Sequence, residues 1–458
     1  MKTTKRIFLL LLIILPTTFY SCEDDNGISE ETIRINKFVW DNMNDLYFWN
    51  EQIPGHLNYK KEPDTKKFFD KLIYDQVDQW SFITDDYDGL VNYFAGISKS
   101  MGHSLRLFKV SENSDDVVGF IEYVEPNSPA DRASLYRGQM FYKINGQKLT
   151  TENVSDLLSK DSYSMTFGSL NGNGSINELS PAVKLNAVEL QSNPILLHKV
   201  IEHGGVKVGY LVYTSFVEKY NDELTSVFAD FKSQGVDHLV LDLRYNSGGS
   251  VTSAILLSSL IAPASKAGDV LLRTTYNDIL TQYFDTKEAD NPDRYIDRIT
   301  PQEHNLNLNK VVVLSTFKTA SASEMIIYGL DPHMNVYHIG EQTRGKYYGS
   351  NTFSDPNKSH NWAIQPIIMR AENKTNSINY TEGLIPDQKR TDFINASTIY
   401  ELGDPKEDFL AQALLHLTGQ LPVGASLKSA TPKSYQAINN ESSFSNPLHY
   451  DMQYDIKK

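Results

Sequence analysis

Apolar and polar positions follow three successive patterns along the chain. Near the start, Ile35, Val39, Met43, Leu46 and Trp49 recur at the spacing of one helix face, and Phe68, Phe69 and Leu72 mark a second helix after Pro63-Asp64. From about residue 102 to 158 the pattern shortens to strands and turns at 104–110, 119–124 and 141–144. Farther on, the runs 208–213 and 238–243 read as strands around a helix whose Leu224, Val227, Phe228 and Phe231 share a face. Asn309-Lys310-Val311-Val312-Val313-Leu314 is a β-branched run of the kind buried on both sides of a sheet, and 336–339 and 363–369 supply further strands. Strand and helix alternate here, which predicts an α/β layered domain. The expected organisation is multi-domain α/β: a helical N-terminal domain over 31–95, ending near the strand-poor Asp85-Asp86-Tyr87-Asp88, a β-rich module over 96–190, and the α/β domain over 195–422. Asn171-Gly172-Asn173-Gly174-Ser175 reads as a flexible turn, and the Ser-, Asn- and Lys-rich tail 423–458 as loosely packed.

The first residues change the picture of where such a chain resides. Lys2, Lys5 and Arg6 precede the apolar run Ile7-Phe8-Leu9-Leu10-Leu11-Leu12-Ile13-Ile14-Leu15, too short to span a bilayer comfortably, so 1–21 reads as a secretion signal with 22–30 as linker. Cys22 is the single cysteine and can form no internal disulfide. Its place after Ser21 resembles the lipid-attachment site of bacterial lipoproteins, although Phe19 and Tyr20 depart from the usual pattern. The plainer reading is a soluble secreted protein. Lipidation implies a membrane-anchored protein of the bacterial cell envelope, on its periplasmic or external face. Loss of 1–21 removes three positive charges and no negative ones, taking the formal charge from −14 to −17 and arguing against nucleic acid as a partner.

The candidate chemistry lies in Thr319-Ala320-Ser321-Ala322-Ser323-Glu324 and in Lys346, 25 positions after Ser321. A serine hydroxyl is a weak nucleophile until a neighbour takes its proton, and a buried, neutral lysine can do so. Ser321 follows a buried strand and precedes a helix that Asp331-Pro332 ends, so the Ala322 amide at the helix N-terminus is placed to donate to an oxyanion. Ser-x-x-Glu is equally a helix-capping pattern. Ser323 competes as nucleophile, but on a helix it lies about 200° around from Ser321, so both cannot face one lysine. Gly340-Glu341-Gln342-Thr343-Arg344-Gly345-Lys346 matches a phosphate-binding loop up to its eighth position, where Tyr347 replaces the required Ser or Thr. A third element, Asn246-Ser247-Gly248-Gly249, ends an apolar strand in a glycine turn whose amides would point from a helix N-terminus, or simply form an ordinary strand-to-helix turn. His304, His333 and His338 show no triad spacing, and no His, Cys or carboxylate pairing forms a metal signature.

Together these segments resemble the C-terminal processing peptidases, also called tail-specific proteases. The resemblance extends over Val208-Gly209-Tyr210-Leu211, Gly383-Leu384-Ile385-Pro386-Asp387 and Leu402-Gly403-Asp404-Pro405, and so over most of the chain. It implies a crotonase- or Clp-protease-like layered domain with Ser321 as nucleophile, Lys346 as general base, Glu324 helping to orient the lysine, and the Gly248 amide in the oxyanion hole. No cofactor is implied. Polypeptides, met through C-terminal tails or unfolded segments, are the implied substrates. The rival reading is a lipid-anchored peptide-binding scaffold with an inactive peptidase domain.

The β-rich module resembles a PDZ domain, on Val124-Glu125-Pro126-Asn127-Ser128-Pro129-Ala130, Arg137-Gly138 and Ile144-Asn145-Gly146. That implies strand addition of a peptide whose carboxylate is held by the loop Met101-Gly102-His103-Ser104-Leu105. Gly102, His103, Ser104 and Leu105 are therefore the candidate peptide-binding residues, with His103 expected at the loop surface rather than as a specific contact.

Overall fold

The computed structural model describes residues 27–170, 175–375, 380–393, 398–427, 436–438 and 452–453. The expected leader, Cys22 and most of the turn expected at 171–175 lie outside them. Helix α1 (Glu30–Leu46) is capped by Ser29, and α2 (Thr65–Leu72) by Asp64; Trp49 falls beyond the first helix. The strand-poor stretch Asp85-Asp86-Tyr87-Asp88 lies between β1 (Phe82–Thr84) and α3 (Tyr87–Phe94), runs into the latter, and supplies its cap, Asp86. These N-terminal elements build no core of their own. Val39, Met43, Tyr47, Phe68 and Phe69 join one apolar cluster with Leu211, Leu239 and Val311 of the later domain. A segment this small buries too little surface alone, so its aromatic faces are completed by the larger domain.

The middle module runs through β2 (Ile97–Ser100), β3 (His103–Lys109), β4 (Val117–Val124), α4 (Pro129–Arg132), β5 (Met140–Ile144), β6 (Gln147–Lys148), α5 (Val154–Leu158), β7 (Ser162–Leu170), β8 (Ile176–Asn186) and β9 (Val188–Gln191). Strands β3, β4, β5, β7 and β8 form an antiparallel sheet in that order, and β2 pairs with β9 as a two-stranded stem that closes the module. Its core holds Leu107, Ile121, Phe141, Ile144 and Met165.

The large domain contains β10 (Ile195–His203), β11 (Val206–Tyr213), α6 (Asn221–Gln234), β12 (His238–Asp242), β13 (Gly249–Ser250), α7 (Val251–Ile261), β14 (Val270–Tyr276), α8 (Asp278–Lys287), β15 (Ile296–Arg298), β16 (Lys310–Ser315), α9 (Ala322–Leu330) and β17 (Asn335–Gly340). It continues through β18 (Tyr348–Ser350), β19 (Phe353–Ser354), β20 (Ala363–Gln365), β21 (Ile367–Asn373), β22 (Gln388–Lys389) and α10 (Asp408–Thr418). Strands β11, β12, β16, β17 and β22 are parallel neighbours, with β10 antiparallel at one edge. Alternation along β12 and β16 explains the layers. Leu239, Leu241, Val311 and Val313 face α6, α7 and α9, while Val240, Val312 and Leu314 face Phe409, Leu410 and Leu414 of α10. Both faces are covered, as the continuous apolar runs require.

Two further short strands, β23 (Gln436–Ala437) and β24 (Met452–Gln453), come from the segment expected to be loose. Both are hydrogen-bonded into sheets, β23 beside β3 and β24 between β13 and β18. An extended backbone segment needs only an open strand edge to pair, whatever its side-chain composition.

Candidate active site

Three loops meet at the C-terminal end of the parallel sheet, where an open α/β fold presents the turns after its strands. The turn after β16 carries Ser321, the turn after β12 carries Asn246–Gly249, and the segment between β17 and β18 carries Lys346. Asn246 ties the first two together. Its Oδ1 accepts the Gly248 N–H at 2.9 Å, its Nδ2 donates to the Tyr213 carbonyl at 2.9 Å, and its own carbonyl accepts the Ala320 N–H at 3.2 Å and the Ser323 hydroxyl at 3.0 Å. Thr319 adds a second tie, donating to the Leu243 carbonyl at 2.9 Å.

Glu324 draws in the third loop. One carboxylate oxygen accepts the N–H groups of both Ser321 and Lys346 at 2.8 Å, so these two main-chain nitrogens lie within twice that distance of each other. The other oxygen accepts the Thr343 hydroxyl at 2.5 Å and the Gly345 N–H at 2.7 Å. Burial pushes the Glu324 carboxyl above its ordinary range, while these four donors pull it the other way. These hydrogen bonds of Glu324 position Lys346 through its backbone. Gly345 permits the approach: at φ +89° a Cβ would stand 2.3 Å from the Thr381 carbonyl oxygen. Thr343 is held in turn from the Gly383-Leu384 segment, accepting the Leu384 N–H at 2.7 Å.

Ser321, Ala322, Glu324 and Lys346 are all fully buried. Ser321 is the N-cap residue of α9, and Glu324 supplies its half of a capping box by accepting the Ser321 N–H. Even so, its shielded hydroxyl oxygen makes no hydrogen bond of normal geometry, whereas the Ser323 hydroxyl is committed to Asn246. Gly248, at φ +116°, passes so close that a Cβ would lie 2.8 Å from Ser321 Cβ and 3.2 Å from the Ala322 nitrogen. Its amide, expected to point at an oxyanion, donates to Asn246 instead in this structure. Lys346 leads into strand β18, whereas a phosphate-binding loop leads into a helix, which rules out the nucleotide reading. His333 bonds the Val270 carbonyl and His338 the Ser315 hydroxyl.

The middle module abuts this site. A cavity of ≈430 Å³ is lined by His103, Ser104 and Leu105 on one side and Ser247 and Lys318 on the other. A second, of ≈150 Å³, reaches Gly248 and Gly249 and shares Tyr123, Glu125, Ser215 and Ser247 with the first. His103, Ser104 and Leu105 belong to strand β3 rather than to a loop, leaving Gly102 at φ +76° as the turn residue. His103 is half-buried in β3 rather than on a loop. Its Nε2 meets the Tyr163 hydroxyl at 3.1 Å, its Nδ1 is shielded without a partner, and burial pushes its pKa down to about 4. Ser104 donates to Glu122 at 2.6 Å, and the Leu105 carbonyl accepts from Lys318 at 2.8 Å.

Sequence reasoning missed the polar joint behind the glycine turn. Arg244 is fully buried and contacts Asp242 at 2.6 Å and Glu407 at 2.8 Å, while Arg137 of the module reaches Asp392 at 2.7 Å and Glu407 at 3.2 Å. Arg137-Gly138 was legible as a motif, but partners more than 250 positions away were not.

Residues 207–390 match the profile of peptidase family S41, and residues 34–82 match that of the peptidase S41 N-terminal domain, together just over half of the chain. The chain belongs to peptidase family S41. Its relatives include the carboxy-terminal processing protease CtpA of Bacillus subtilis strain 168, 22% identical over 92% of this chain and 86% of that one. Carboxyl-terminal-processing peptidase 3, a chloroplastic protein of Arabidopsis thaliana, is 25% identical, but the match covers 48% of this chain and 41% of its own length. Among solved structures, one from Bacteroides fragilis NCTC 9343 described as an S41 protease superposes with a TM-score of 0.68 at 29% identity, covering 83% of this chain and 97% of that one. All three loops of the site fall inside the S41 match at 207–390.

Proposed function

We propose that this S41 chain is a serine endopeptidase in which Ser321 and Lys346 form the reacting pair, acting on exported polypeptides through their C-terminal tails or unfolded segments. The observation that carries the reading is the single Glu324 oxygen that accepts both the Ser321 and Lys346 N–H groups, which draws together the main chains of the proposed nucleophile and base from positions 25 residues apart. Burial of an amine favours its uncharged form, the state a general base needs.

In the first half-reaction the Ser321 hydroxyl adds to the scissile carbonyl as its proton passes to Lys346 Nζ. The C–N bond then breaks and the same proton leaves with the amine. Water repeats the sequence on the acyl-serine, releasing the acid and restoring both side chains. Ala322 N–H, at the N-terminus of α9, is the first oxyanion donor. Gly248 N–H is the second, once it exchanges Asn246 Oδ1 for the substrate oxygen. The two cavities, which share lining residues, support a peptide path from β3 to the glycine turn.

Purified protein is expected to cleave a denatured polypeptide faster when its C-terminus is free than when it is amidated. Ser321→Ala should abolish that cleavage while leaving the circular dichroism spectrum and the unfolding midpoint in place. Undiminished turnover by Ser321→Ala would refute the assignment, and equal rates on the two substrates would refute tail recognition.

A further inference from the structure

The late strands β23 and β24 stand on the two backbone edges that an incoming peptide would use. Strand β23 runs antiparallel to β3, with Gln436 opposite Lys109 and Ala437 opposite Phe108, and the Ile438 N–H donates to the Leu107 carbonyl at 3.1 Å. Partner numbers fall as tail numbers rise, so this segment heads toward His103 and Gly102 in the direction a strand-adding peptide takes. Ala437 packs on the cluster holding Phe108 and Phe120, and Ile438 on the one holding Leu107 and Ile121.

Strand β24 is independent of that contact. It lies parallel between β13 and β18, with Met452 opposite Gly249 and Gln453 opposite both Ser250 and Ser350. It therefore sits between the glycine turn of Gly248 and the strand that begins two positions after Lys346. Ser321 and Lys346 themselves have no exposure.

We propose that residues 436–438 and 452–453 act as a built-in pseudosubstrate, an intramolecular peptide that holds the β3 edge and the slot between β13 and β18 until an external polypeptide displaces it. This rests on the reading of the cleft as a peptide path. A tethered segment competes at an effective concentration in the millimolar range for short flexible linkers. Each described strand is two residues long, and hydrogen bonds contribute about 1 kcal/mol apiece, so the segment is displaceable rather than locked in place.

The test uses the full chain carrying Ser321→Ala, so that binding is read without turnover, and a fluorescein-labelled peptide of sequence 432–458 followed by anisotropy. Adding Ile438→Pro, which removes the N–H bonded to Leu107, and Gln453→Pro, which sets a proline into β24, should tighten peptide binding roughly tenfold by releasing the tethered competitor. In the Ser321 background the same two prolines should lower KM for a polypeptide substrate and leave kcat unchanged. Equal peptide affinity with and without the prolines overturns the proposal. If the proline pair impairs folding, Ile438→Asn, which removes apolar packing alone, carries the same comparison. A tighter peptide complex without cleavage by any variant would overturn the peptidase reading and leave this one standing. Cleavage with no change in affinity would do the reverse.

Discussion

Ser321 occupies φ 60°, ψ −119°, a region open to glycine and costly for any residue with a Cβ, by about 1–3 kcal/mol. Two contacts hold it there: Glu324 accepts its N–H at 2.8 Å, and its carbonyl accepts the Met325 N–H at 2.9 Å. Since its hydroxyl has no partner, the strain serves no side-chain hydrogen bond in this state. It presents the oxygen at the head of α9 instead. Ser321→Gly should therefore be more stable than Ser321→Ala by about 1 kcal/mol in chemical denaturation, because only glycine relieves the strain. Both should be inactive. Equal stability would mean that the backbone at this residue is not strained in solution. The Ser-x-x-Glu pattern was legible in the sequence, but the positive φ that distinguishes Ser321 from an ordinary cap was not, because it depends on Asn246 holding Ala320 and Ser323 from another loop.

At the scale of elements, α9 recruits the loop before β18 through one buried carboxylate. A carboxylate only accepts hydrogen bonds, which suits the four donors around Glu324. Glutamine offers one accepting oxygen and an NH2 group that would face two donors. Glu324→Gln is thus expected to destabilise the protein by about 3 kcal/mol. Cleavage should fall through kcat rather than KM, since the Lys346 backbone is released while the cavities lined by β3 and Tyr123 remain. A variant with wild-type kcat would show that Lys346 is positioned by other contacts. The strands and helices themselves were readable from apolar period, because each depends on residues a few positions apart. Thr343, Gly345 and Lys346 lie 19 to 22 positions from Glu324, and no local pattern pairs them with it.

Across the whole molecule, the module and the large domain are joined by buried charge rather than by apolar surface alone. Arg137 donates to Asp392 and to Glu407, which also binds Arg244 two positions before Asn246. Removing one partner from such a set leaves buried charge uncompensated, a loss of about 3–5 kcal/mol. Arg137→Ala should lower the denaturant midpoint accordingly and open the β2/β9 stem to limited proteolysis before the large domain unfolds. A single cooperative transition at the wild-type midpoint would show that the joint contributes no stability. The helical N-terminal segment shares its core with the large domain, since Tyr47 and Phe68 pack with that domain's sheet.

The sequence by itself determined the α/β alternation, the order of the segments and the residues able to carry serine chemistry, because hydrophobic period and motif chemistry act over a few neighbouring positions. Only the tertiary structure decided which serine hydroxyl stays unpartnered, that the Gly248 amide rests on Asn246, that His103 is shielded, and that late residues of the chain lie along two strand edges. Those outcomes turn on which backbone donors and acceptors meet after the chain has folded, across separations that local propensity does not encode.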